Sequence, residues 1–237
     1  MSELDIVRDI AKRTLVIGTT TGPSNNSFWD RSQRLVRNVD LICQLPELNE
    51  VGFKIDRFCL FSSAYFSDAG LVRDLETNGE AVKCLSPRNK VEDLVDISCK
   101  VVEEKLGSFF GETKVRKINR IIFESNNQST KMPEGMILSD ARNLDDMGAV
   151  GIFNELKQCV SNGKSISDAL QIWKRKVDYQ YWQARLTKSF HFDSVRKLAE
   201  QRLSSAEFFM NQLKMENSGQ DLGEMLTEKV NFADSNE

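Results

Sequence analysis

Residues 134–152 read EGMILSDARNLDDMGAVGI. Ile137, Leu138, Ala141, Leu144 and Val150 recur at helical spacing. Gly148 and Gly151 stand three apart, and each costs about 1 kcal/mol relative to alanine in a helix interior. Close helix packing is the expected reason to keep them. The segment from Glu134 to Val160 is therefore predicted helical, with a break near Asn143.

Outward from this stretch the rest of the chain is also helical in pattern. Ser27 opens a segment with Trp29, Leu35, Val39 and Ile42 at helical spacing that ends before Pro46. Asp56–Ser67 (DRFCLFSSAYFS) is a dense apolar run expected to form a buried central helix. Gly70 to Asn89 is rich in loop residues and reads as a connector carrying one short helix and bordering a pocket. Val91, Leu94, Val95, Ser98, Val101, Val102 and Leu106 then trace an apolar stripe of period 3.6, and Thr113–Phe123 traces another. Aromatic residues Trp173, Tyr179, Tyr181 and Trp182 cluster within a helical segment from Ser167 to Leu186. A last long helix is predicted from Ser194 to Glu216, capped by Asp193. Four prolines fall between these segments and alternating strand patterns are scarce, so the fold class is all-α. Residues 1–26 are expected to form an N-terminal helix and connector packing on a single domain spanning 27–216, with a polar, flexible tail at 217–237.

Composition limits the chemistry. The 237 residues include 32 Lys and Arg against 35 Asp and Glu, a net charge of −3, which excludes a strongly basic nucleic-acid-binding protein. There is one histidine, His191, and the five cysteines include no C-x-x-C pair, so paired-cysteine zinc sites and H-E-x-x-H are excluded. Scattered thiols, the lack of an apolar span and acids at Glu3 and Asp5 where a signal peptide would be basic lead to an expected cytoplasmic, membrane-free protein. No G-x-S-x-G, phosphate-loop or dinucleotide fingerprint occurs, and IGTTTG at 17–22 lacks the lysine of a phosphate loop. Lys114, Arg116, Lys117 and Arg120 read as the wet face of a helix, the aromatic cluster as core and pocket wall, and His191 as structural. Cys84 is the thiol placed for reactivity, with nothing nearby to lower its pKa.

Several of these segments, in order, resemble the HD-domain metal-dependent phosphohydrolases, in their small stand-alone bacterial branch. EGMILSDARNLDDMGAVGI is similar to that family's E-G-x-I-L-x-D-A-D-R-L-D-A-I-G-A-I-G-I. WDRSQRLVRNVDLIC from Trp29 to Cys43 resembles its W-D-H-V-x-R-V-x-R-x-A-L-x-I-A helix, and AYFSDAG from Ala64 to Gly70 stands where it has A-L-L-H-D-I-G. DSVRKLAEQRLSSAEFFMNQL resembles its terminal helix. The likeness spans Ser27 to Glu216 and implies a helical bundle with a central cleft.

It also implies a metal site, held in that family by a histidine on the first of these helices, by the His-Asp doublet and by the first Asp of D-A-D. Imidazoles and carboxylates there hold an ion that acidifies a bound water and polarises a phosphoryl oxygen. This chain departs at those positions: the first histidine reads Arg31, the doublet reads Ser67-Asp68, and a further histidine position reads Glu124. Asp140 remains, and the second Asp of D-A-D has become Arg142. Arginine has no lone pair to give a metal and repels one.

Two arrangements of these residues stay open. Arg31 could fork onto Asp68 and Asp140 and replace the metal electrostatically, or Asp68, Asp140 and Glu124 could hold a hydrated Mg²⁺ or Mn²⁺. The first makes the chain a pseudoenzyme with no cofactor, a binding or interaction module for a small phosphorylated ligand, a nucleotide or a protein partner. The second makes it a phosphohydrolase with a carboxylate-only site. A third reading, a structural protein with a filled cleft, would leave no sizeable pocket beside Asp68.

Overall fold

The computed structural model describes residues 2–18, 24–50, 52, 54–77, 91–223 and 225. Their regular structure is helical throughout, without strands, apart from one isolated bridge between Ile17 and Asn25. The helices are α1 (Glu3–Leu15), α2 (Ser27–Ile42), α3 (Pro46–Glu50), α4 (Arg57–Phe66), α5 (Ala69–Thr77), α6 (Val91–Leu106), α7 (Glu112–Glu124), α8 (Pro133–Asp145), α9 (Gly148–Ser161), α10 (Ile166–Asp178), α11 (Tyr181–Lys188) and α12 (Asp193–Ser218). None is long and apolar enough to cross a membrane.

Helix α4 is the centre of the bundle. Seven of its ten residues are buried, because Ser62, Ser63 and Ala64 let neighbouring helices approach closely. The serine hydroxyls stay satisfied inside the apolar core by donating to backbone carbonyls of the preceding turn, Ser62 to Phe58 and Ser63 to Cys59. Asp56 starts the helix by accepting from the Cys59 N–H at 3.0 Å. Around α4 pack α1, α2, α7 and α8, with α5 and α6 paired beside them and α9 to α12 forming a second group joined through α8. Helix α1 buries Val7, Ile10, Ala11 and Leu15 in the same core.

The basic face of α7 fastens this bundle. Lys114 forks onto Glu3 of α1 at 2.7 and 2.8 Å and lies over the Phe58 ring. Lys117 bridges Asp56 at 3.2 Å and the buried Glu134 at 3.1 Å, and Arg116 pairs with Glu112. These cations are largely spent on holding helices together.

One boundary differs from the sequence reading. The break after α8 comes at Asp146 and Met147 rather than near Asn143, because Gly148 takes φ +77, a conformation that L side chains rarely adopt. A Cβ on Gly148 would also stand 2.9 Å from Arg202 Cβ on α12, and one on Gly151 would strike the Asp146 carbonyl at 2.1 Å. The glycines thus permit one tight corner and one close helix approach. The aromatic segment over 167–186 forms two helices, α10 and α11, divided at Gln180 in the left-handed region at φ 52. Part of the 70–89 connector is α5, and residues 78–90 with Cys84, residues 19–22 of IGTTTG and residues 226–237 of the tail lie outside the described residues.

Replacing Gly148 with Ala should cost about 1–3 kcal/mol, since it combines a positive φ with a Cβ clash. Urea unfolding monitored by circular dichroism checks this; a loss no larger than that of an exposed Gly→Ala change would contradict it.

Candidate functional site

Four segments bring the site together: the first turns of α2, the α4–α5 turn, the α8–α9 corner and α11. Arg31 projects from α2 into the middle. Its Nε lies 3.3 Å from Asp68 Oδ2 and 3.4 Å from Asp145 Oδ2 without a directed hydrogen bond to either, and its Nη2 donates to Asp146 Oδ1 at 3.0 Å. Arg34, one turn on, forks onto Asp145 at 2.8 and 3.2 Å. Arg185 reaches in from α11 to Asp146 Oδ2 at 2.7 Å and to Asn143 Oδ1.

The electrostatics follow from this geometry. Asp68 beside Arg31 raises its pKa further above the guanidinium range, with Asp146 and Asp145 adding to it and burial opposing. Burial works against the charge on Asp146, yet Arg31 and Arg185 together outweigh it and hold the carboxyl below its ordinary value of 3.8. Arg31 is thus the counter-ion that the three carboxylates share.

The sequence-derived residues divide into those the structure brings together and those it does not. Arg31 and Asp68 meet as anticipated, and Ser67 is adjacent, its hydroxyl turned back to the Ala64 carbonyl at 3.2 Å. Asp140 does not join them. It is fully buried on the opposite side of α8, where it accepts from the backbone N–H groups of His191 (2.9 Å) and Phe192 (3.0 Å) and pairs with His191 Nδ1 at 2.8 Å. The carboxylate thereby satisfies the free amides at the N-terminus of α12, which makes it a structural cap. Glu124 is also elsewhere: at the end of α7 it accepts weakly from Asn127 (3.4 Å) and packs against Gly135. The carboxylate trio of Asp68, Asp140 and Glu124 is thus not assembled, and no group of three His, Cys, Asp or Glu residues able to hold a metal occurs among the described residues.

The residue that faces Arg31 from α8 is Arg142. Positions 140 and 142 lie about 200° apart on a helix, whereas 142, 145 and 146 share a face by the i, i+3, i+4 rule. That rule, applied to the sequence, would have selected Arg142, Asp145 and Asp146; Arg34 and Arg185 carried no local signal. Arg142 Nη1 donates to Ser125 Oγ (3.3 Å) and Asn126 Oδ1 (3.0 Å), and its Nε is enclosed without a hydrogen-bond partner. Burial pulls its pKa below the usual guanidinium range. A cation is not accommodated between Arg31 and Arg142, so these residues do not fit the metal that the resemblance implies.

Two cavities open beside Asp68's partner. The larger, about 290 Å³, is lined by Arg31, Arg34, Lys157, Lys176 and Arg185 against Asp146 and Glu155, with Phe28, Tyr181 and Trp182 as its aromatic wall. Trp182 is buried against Trp173 at 5.5 Å, Tyr181 stands edge-on to it, and Lys176 lies over both rings. Tyr179, expected with this cluster, points to solvent, 81% exposed. The smaller cavity, about 200 Å³, is walled only by polar residues, including Arg142, Asn126 and Ser189. Neither contains a reactive thiol: burial pushes Cys59 up to about 12 and Cys99 up to about 11.

No family model and no curated protein matches the sequence. The fold does match solved structures. Bacillus subtilis YpgQ, solved in complex with ADP, is 19% identical over 90% of this chain and 94% of its own, with a TM-score of 0.57. Lin1889 from Listeria innocua is 16% identical over 92% of this chain and 98% of its own, at 0.57. A Lactobacillus plantarum protein is 16% identical over 92% and 99%, at 0.59. At this identity the likeness establishes the all-α fold.

Two outcomes are expected. Asp140→Ala should lose about 2–4 kcal/mol, because it strands two buried N–H groups at the start of α12, and Asp140→Asn should lose less; equal stability of Asp140→Ala and wild type in urea would contradict the capping role. The lowered pKa of Asp146 gives stability that is fully present above about pH 4 and is lost as pH falls through the folded value. Asp146→Asn should therefore lose less stability than wild type between about pH 6 and about pH 3, measured by denaturant midpoints.

Proposed function

We propose that this protein is a non-catalytic relative of the HD phosphohydrolases that binds a nucleotide or small phosphorylated ligand without a metal. The observation that carries this reading is Arg31 lying between Asp68 and Asp145, with Arg142 facing the same space. A divalent ion in such a position would supply a Lewis acid and an acidified water. A guanidinium supplies positive charge and directed donors but cannot ionise a water or take up a proton. What survives is recognition of anions, and what is lost is the means of hydrolysing them.

The larger cavity has the composition for such a ligand. Its basic residues can neutralise phosphate oxygens, with Arg34 and Arg185 already positioned by carboxylates. Tyr181, 43% exposed, offers a ring face at the far wall for a base. The ADP complex of the structurally similar YpgQ supports a nucleotide as the ligand class.

Titration calorimetry with ADP in a chelating buffer should give saturable binding that added Mg²⁺ or Mn²⁺ does not strengthen and that Tyr181→Ala or Arg34→Ala weakens by about tenfold. Incubation of nucleotides and generic phosphoesters with either metal should release no phosphate above background. Turnover that requires metal and vanishes in Asp68→Ala would overturn the reading in favour of a phosphohydrolase.

A further inference from the structure

We infer that the smaller cavity is a separate site for a tetrahedral oxyanion, a phosphate or sulfate group, anchored by Arg142. The larger cavity's ligand plays no part in this inference. The two share Arg31, Asp146 and Arg185, but the rest of the smaller wall comes from the α7–α8 link, the inner face of α8 and Ser189. At about 200 Å³, with only polar lining, it has space for a small hydrated ion rather than a base and sugar.

Arg142 is the reason to expect an anion there. Arg31 and Arg185 each donate to Asp146, whereas Arg142 makes no ion pair among the described residues. A guanidinium carries five N–H groups. Two are accounted for by Ser125 and Asn126, both through Nη1, and no described residue accepts from the remaining three. The side chain is thus a desolvated cation beside two others, with Asp68 and Asp146 exerting a field on it but no contact. Burying a charge without a partner is costly unless a counter-ion relieves it. If Arg142 served only to bridge Ser125 and Asn126, a neutral amide would do so without that cost.

The chemistry of the wall matches the same guest. Arg31, Arg142 and Arg185 place three guanidiniums around the space against one lining carboxylate, Asp146, which both Arg31 and Arg185 already hold. Asn126 spends its amide N–H on the Ile122 carbonyl, so the free donors come chiefly from Arg142. Of the three guanidiniums, Arg142 alone has no carboxylate partner among the described residues, and the oxygens of an oxyanion suit its planar fork.

The test is titration of the full chain with inorganic phosphate, and separately sulfate, in chelator with chloride held constant, for wild type, Arg142→Gln and Asn126→Asp. Wild type should bind both anions saturably, with a rise in Tm. Arg142→Gln should weaken binding by about tenfold or more. Asn126→Asp places a carboxylate where Asn126 Oδ1 now meets Arg142, and should likewise suppress anion binding while raising Tm in the absence of anion. That second variant decides the matter if Arg142→Gln does not fold. No saturable binding by wild type, or equal binding by the variants, would overturn the inference and leave ADP binding in the larger cavity untouched. A nucleoside monophosphate that displaces bound phosphate would identify the guest as the phosphoryl end of an organic ligand. Simultaneous binding of both, with phosphate binding retained in Tyr181→Ala, would identify it as the free anion.

Discussion

One guanidinium, that of Arg31, reconciles three carboxylates that could not otherwise share this space. Asp68 and Asp145 are almost without solvent, and Asp146 is drawn in by Arg31 and Arg185 together. Without the cation, three negative groups from the α4–α5 turn and the α8–α9 corner would repel one another across the middle of the molecule. A buried network of this kind contributes little net stability, because desolvation offsets most of the attraction. It does tie elements together: Arg31 of α2 meets Asp68 of the α4–α5 turn and Asp145 and Asp146 at the end of α8. The cost of breaking it would come from the charges left behind.

The same insertion has a chemical consequence. Where the resemblance implies a metal ligand on α2, this chain places Arg31, and on α8 Arg142 stands at the second Asp of D-A-D, so positive charge is supplied here by the polypeptide itself. Such charge is permanent and independent of metal supply. Its two forms differ, since Arg31 is saturated by carboxylates and serves to organise the cleft, whereas Arg142 retains unassigned donors. The larger cavity combines basic and aromatic walls, and the smaller one is polar throughout, so the remodelled centre is bordered by two spaces of different chemistry.

Much of this architecture was legible in the residues. The apolar stripe from Val91 to Leu106 and the segment opening at Ser27 correspond to α6 and α2, because burial of one helix face leaves a direct mark at 3.6-residue spacing; Ser27 is the first helical residue rather than the cap, a position that Asn26 holds without a side-chain hydrogen bond. The meeting of Arg31 with Asp68 was legible through the resemblance. The place of Asp140 is not legible in a motif, because the motif carries no helix face: positions 140 and 142 point to different sides of α8, and the Asp140 carboxylate accepts from the His191 and Phe192 N–H groups ahead of α12. The division at Gln180 had no glycine or asparagine to announce its left-handed backbone. Arg185 and Arg34 reach Asp146 and Asp145 across long sequence separations, and convergence of that kind is a property of tertiary packing rather than of any local pattern.

The central claim is that arginine stands in the place of a metal, and manganese titration followed by electron paramagnetic resonance tests it most directly. Protein added to Mn²⁺ should leave the free-ion signal undiminished, since a cation entering this centre meets Arg31 and Arg142. Stoichiometric loss of that signal, reversed by Asp68→Asn, would show that the carboxylates hold a metal after all and would contradict the claim.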